Sequence, residues 1–178
     1  MTRLEIESAF GVNIPVVPPE EGRVYEPHFR EDWDYVVDFL IEHPNIYEGI
    51  DDFDLLLPAF LWVESWYAAR FTASICVQIL LAIETNTIEY FHYFFNDLRE
   101  SLTIERTDFD TLAYLGLPQN QFDVFSSCVA DLARECHSLT DARWGNKNYP
   151  LKKFLSDVDQ TLLLLNDMRA AAMRQPNS

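Results

Sequence analysis

The sequence predicts an all-α protein: a single-domain bundle of five or six helices behind an extended N-terminal arm. Three observations carry that prediction. Apolar residues recur at spacings of three and four through most of the chain. The nine prolines and five glycines are few, and the prolines fall mostly between those stretches. No linker or fixed-period repeat divides the 178 residues, so 1–178 reads as one domain, with 1–25 as the arm and 175–178 as a frayed tail.

The arm is expected to be extended because Leu4 and Ile6 alternate with Glu5 and Glu7, a period of two that suits a short strand. Pro15, Pro18 and Pro19 then hold the backbone extended, and Val12, Ile14, Val16 and Val17 give it apolar surface to lay on the core. Pro27 suits a first helical turn. Phe29, Trp33, Val36, Val37, Leu40 and Ile41 form one apolar face of a helix that ends near His43, before Pro44. Residues 44–55 make an acidic connection.

A second helix is expected from Pro58 through Phe60, Trp62, Trp66, Phe71, Ile75, Ile79 and Ile83. It is apolar on nearly every side, which places it at the centre of the bundle. Asn86 and Glu89 resemble a capping pair that opens a helix over Thr87–Leu102. Its run Tyr90–Phe95 is aromatic at five of six positions, so either this helix is central or one side meets something else. Thr107 and Asp110 repeat the capping pattern before a short helix that Gly116 and Pro118 end. The next helix, from about Pro118 to Leu139, buries Phe122, Phe125, Cys128, Val129, Leu132, Cys136 and Leu139. A loop over 140–150 leads to a last helix with the stripe Leu151, Phe154, Leu155, Val158, Leu162, Leu165 and Met168.

Composition narrows the function. The chain is 48% hydrophobic and 14% aromatic, too apolar for a disordered protein. The formal charge of −16 excludes direct binding to nucleic-acid phosphates, which needs cations to displace counterions. The stretch Leu55–Ile83 is long enough to span a bilayer, but Glu64, Arg70 and several polar residues interrupt it, so a buried helix and no membrane are expected. Met1–Val12 has no apolar signal core, which points to the cytoplasm. Cys76, Cys128 and Cys136 lack the spacing of a disulfide framework and read as buried thiols.

Catalytic patterns are sparse. Glu89-Tyr90-Phe91-His92 is a single Glu-x-x-His, where a diiron bundle needs two such motifs and two further carboxylates; Glu64 and Glu84 are the available extras. Cys136 and His137 are adjacent, so on a helix they point about 100° apart and do not pair as nucleophile and base. No phosphate loop, nucleophile elbow or zinc-protease helix occurs. The loop Arg143–Tyr149 reads as a helix connection with Trp144 turned into the core. The expectation is therefore no catalytic residue, no metal and no cofactor.

The acidity is uneven. Residues 1–55 carry fourteen acids and three bases, a net of −11; residues 56–110 carry eight and three, a net of −5; residues 111–178 carry seven of each. Glu31, Asp34, Asp38 and Glu42 share one face of the first long helix, and Asp51, Asp52 and Asp54 follow it. Like charges so placed repel by about 0.2–0.5 kcal/mol per pair. These seven residues are the candidate partner-binding set. They suit a basic protein partner, such as a nuclease, toxin or nucleic-acid-binding protein, held by an inhibitor, immunity protein or nucleic-acid mimic. The runner-up is a helical subunit joined to a complex through the Tyr90–Phe95 aromatics.

Overall fold

The computed structural model describes residues 1–20, 30–48, 64–103, 117–146 and 148–172. Among them are seven α-helices and one 3-10 turn, an all-α fold as expected. The helices are α1 (Arg3–Phe10), α2 (Arg30–Glu42), α3 (Ala68–Thr85), α4 (His92–Thr103), α5 (Gln119–Cys136), α6 (Asp141–Trp144) and α7 (Leu151–Ala172). The 3-10 turn spans Ile88–Phe91.

The arm departs from expectation at its start. Residues 3–10 are helical, not extended, because Thr2 and Glu5 form a complete capping box. Ile6 and Phe10, four apart, then face the core together. The alternation of Leu4 and Ile6 with acids was misleading, since Leu4 is exposed. From Gly11 the chain does extend. Ile14 donates its N–H to the Pro44 carbonyl at 2.8 Å, and Ile46 donates to Val12 at 2.9 Å, a single antiparallel rung between Asn13 and Asn45. Val16 is buried there.

The central helix is α3, as its all-round apolarity implied: every residue from Ala73 to Leu80 is buried. It is long and apolar enough to cross a membrane, yet 72% of that stretch is buried inside the fold. The helix begins at Ala68 behind a turn over residues 65–67; its expected start at Pro58 lies outside the described residues. At its other end Asn86 is not an N-cap. It adopts the left-handed conformation (φ 59°) and its N–H returns to Ala82 and Ile83, a C-terminal cap. The chain then turns through the 3-10 segment before α4.

Around α3 pack α1 and α5, while α7 packs on α4 and α5. The aromatic run is mostly core: Phe91, Phe94 and Phe95 are fully buried and meet edge to face at centroid distances of 5.4 and 5.2 Å. Tyr93 is exposed. All seven residues read as the buried face of α5 are buried, Leu139 from just beyond its end. On α7, Leu151, Phe154, Val158 and Leu165 are buried, with Leu155, Leu162 and Met168 packed partly against them. The loop after α5 contains the short α6, which seats Trp144 flat on Phe154 with ring centroids 4.4 Å apart. Gly145 ends α6 at φ 63°, a backbone setting that favours glycine. The short helix expected between Thr107 and Gly116, the side chain of Tyr90, and the tail 175–178 lie outside the described set.

Candidate functional site

Of the seven carboxylates assigned to a partner, the structure places four on one described helix, three of them with described side chains. Asp34, Asp38 and Glu42 recur every four residues along α2; Asp38 and Glu42 are exposed and Asp34 is half-buried. Glu31 lies in the same register on α2, its side chain outside the described set, and Asp51, Asp52 and Asp54 fall outside the described residues. The opposite face of α2 buries Val36, Val37, Phe39 and Leu40, so the acidic row points away from the core.

What fixes this helix is an unusual buried cation. Arg70 of α3 has no solvent exposure, and its guanidinium closes the C-terminal end of α2. Nε donates to the His43 carbonyl at 2.9 Å, while one terminal nitrogen donates to His43 at 2.5 Å and Asn45 at 3.0 Å. The Ser74 hydroxyl accepts another bond. Carbonyls just past a helix C-terminus carry partial negative charge, so they suit a cation. Burial pulls the Arg70 guanidinium down to about 10. The sequence showed Arg70 only as a charge inside an apolar helix. The signal for its role is that rule of burial: such a charge must find acceptors.

The same corner is tied from the arm. The Tyr47 hydroxyl donates to Glu7 at 2.6 Å, and the Arg3 guanidinium lies 5.8 Å from the Tyr47 ring centroid. Burial, then the Glu7 carboxylate, push the Tyr47 hydroxyl up to about 12. Arg3 also reaches Glu84 at 3.4 Å. Glu84 is thus an exposed partner of a base, and Glu64 accepts from the Trp66 indole at 2.8 Å. Among the described residues no three His, Cys, Asp or Glu side chains gather as a metal ion requires.

Two further polar clusters lie elsewhere. Asp157 of α7, only 3% exposed, pairs with Arg99 of α4 at 3.1 Å and accepts from the Tyr149 hydroxyl. Burial, then Asp157, push the Tyr149 hydroxyl far up. On the other side of the bundle a cavity of about 180 Å³ opens between Met1, α3 and α5. Ile79, Leu80 and Ile83 wall it; Cys128, Asp131, Arg134 and Glu135 line its α5 side. The Met1 ammonium bonds Asp131 at 2.5 Å, and Arg134 bonds the same carboxylate at 2.9 Å. No family model, curated protein or solved structure matches the chain.

Proposed function

We propose that the protein is a non-catalytic binding protein that docks a basic protein surface through its acidic N-terminal third, in the manner of an inhibitor, an immunity protein or a nucleic-acid mimic. The observation that supports this reading most is the division of charge: −11 over residues 1–55 against zero over residues 111–178. Clustered carboxylates raise the field at one place, attract cationic surfaces and speed encounter. The row Asp34, Asp38, Glu42 on the outer side of α2 adds a geometric argument, because its spacing presents carboxylates along a line. The anchoring of α2 by Arg70 favours binding too, since a face already held in place loses little freedom on docking.

The partner would be isolated from the native source and its association rate measured over rising salt. A steep fall is expected, together with a slower association for the triple variant Asp34→Asn, Asp38→Asn, Glu42→Gln. An association rate indifferent to both salt and the triple variant would remove the proposal.

A further inference from the structure

We propose that the cavity between Met1, α3 and α5 binds a small organic monoammonium ion. The aryl or short alkyl body of the ion fills the apolar side of the cavity, and its ammonium group pairs with the Glu135 carboxylate. This inference is independent of the partner-binding reading.

Four observations carry it. The first is size. The space of about 180 Å³ exceeds the volume of about 150 Å³ that admits benzene, and it falls short of the roughly 300–1,000 Å³ of sites for larger ligands. It suits a body of about one aromatic ring. The second is the wall. Ile79, Leu80 and Ile83 of α3 and Cys128 of α5 bring no charge and only a weakly polar thiol. A fully hydrated ion gains nothing against such a surface, whereas an apolar body does. The third is the placement of the polar groups. Asp131 and Glu135 lie three and seven positions beyond Cys128, on the same face of α5, so an apolar wall from α3 meets carboxylates from α5. That division matches a ligand with one apolar and one charged end.

The fourth observation is which charge remains to be met. The Met1 ammonium holds Asp131 at 2.5 Å and Arg134 holds it at 2.9 Å, so these three groups answer one another. Among the described residues the Glu135 carboxylate enters no ion pair or hydrogen bond; only its backbone carbonyl is used, by the Ser138 hydroxyl and N–H. The other charged clusters differ. Arg70 is spent on the His43 and Asn45 carbonyls, and Asp157 on Arg99 and Tyr149. Glu135 is thus a carboxylate with no cation of its own at the edge of an apolar cavity. The formal charge of −16 adds a field that draws a cation and repels an anion of the same shape. A diammonium ion is disfavoured, because its second charge would meet the isoleucines without a partner.

The test titrates the full folded chain, labelled with nitrogen-15, with benzylamine at neutral pH and follows the amide resonances. Benzyl alcohol, benzoate and 1,4-diaminobutane form parallel arms. Benzylamine is expected to give saturable shifts over residues 79–83 and 128–135, with an affinity about tenfold or more above that of benzyl alcohol. Benzoate and the diamine should give no saturable shift there. Glu135→Gln should weaken benzylamine about tenfold and leave benzyl alcohol unchanged. Ile83→Trp, which fills the cavity, should abolish both. Benzylamine shifts absent from these two segments, or confined to α2, would overturn the proposal. So would equal affinity for benzylamine and benzyl alcohol, or a Glu135→Gln chain that binds benzylamine as tightly as the parent. The four ligands on the unaltered chain decide the matter even if a variant does not fold.

Discussion

The Arg70 guanidinium donates through Nε to the His43 carbonyl at 2.9 Å, so a residue in the first turn of α3 closes the end of α2, 27 positions earlier. Removing it leaves the half-buried His43 carbonyl without the guanidinium, leaves Asn45 with only the Glu48 N–H, and opens a side-chain-sized hole. Arg70→Ala should lower stability by about 3–5 kcal/mol. Arg70→Lys should cost about 1–2 kcal/mol, because one ammonium does not reproduce the planar fork that spans both carbonyls. Urea titrations of both variants check this, and a lysine variant as stable as the parent would show that the fork geometry is idle.

Asp157 is a buried carboxylate held by Arg99 and Tyr149. Asp157→Ala takes the buried carboxylate from Arg99, which keeps Glu100 at 4.0 Å, and from the Tyr149 hydroxyl, and should cost about 1–3 kcal/mol. Tyr149→Phe should cost about 1–2 kcal/mol. A double-mutant cycle between the two positions should return a coupling of about 1 kcal/mol or more. Additive losses would mean that the hydroxyl and the carboxylate act separately.

Asp131 sets a pH dependence. Burial alone would raise its carboxyl, but bonds from the Met1 ammonium and Arg134 outweigh that and hold it below its ordinary 3.8. Its stabilisation is therefore complete above about pH 4 and lost as pH falls through the lower folded value. The bond to Asp131 raises the Met1 ammonium above its ordinary 8.0, so that contribution is complete below 8.0 and lost at higher pH. Asp131→Asn should cost about 1–2 kcal/mol between those limits and converge with the parent in acid. Thermal melts from pH 2.5 to 9 read the difference; a constant offset across the range would contradict the linkage.

Glu42→Gln should leave stability within about 0.5 kcal/mol, because Glu42 is exposed at the end of α2. A loss beyond about 1 kcal/mol would mean that this carboxylate serves the fold.

The helices legible in the sequence were those whose burial is a matter of local period. The stripes of α5 and α7 repeat every three to four residues, and the residues on them are the ones that are buried or packed on the core. Where the same residue type serves two purposes, the reading went astray. Asn86 suits a helix start by its side chain and a helix end by its tolerance of positive φ; here it ends α3 and in turn accepts from Arg143 at 3.0 Å. The α1 helix was hidden by an alternation that imitates a strand, although Thr2-x-x-Glu5 carried its capping signal. The acidic row was readable because it depends on spacing alone. The partners of Arg70 and Asp157 were not, since each is reached across the fold from a distant part of the chain.

The packing of α1 has a consequence for the order of events during synthesis. Its eight residues are too few to hold a helix alone in water. They rest on α3 and α5, and Met1 bonds a residue 130 positions on. The segment leaves the ribosome before either support exists. It must therefore stay unsettled until most of the polypeptide has emerged, and its docking is a closing step in maturation.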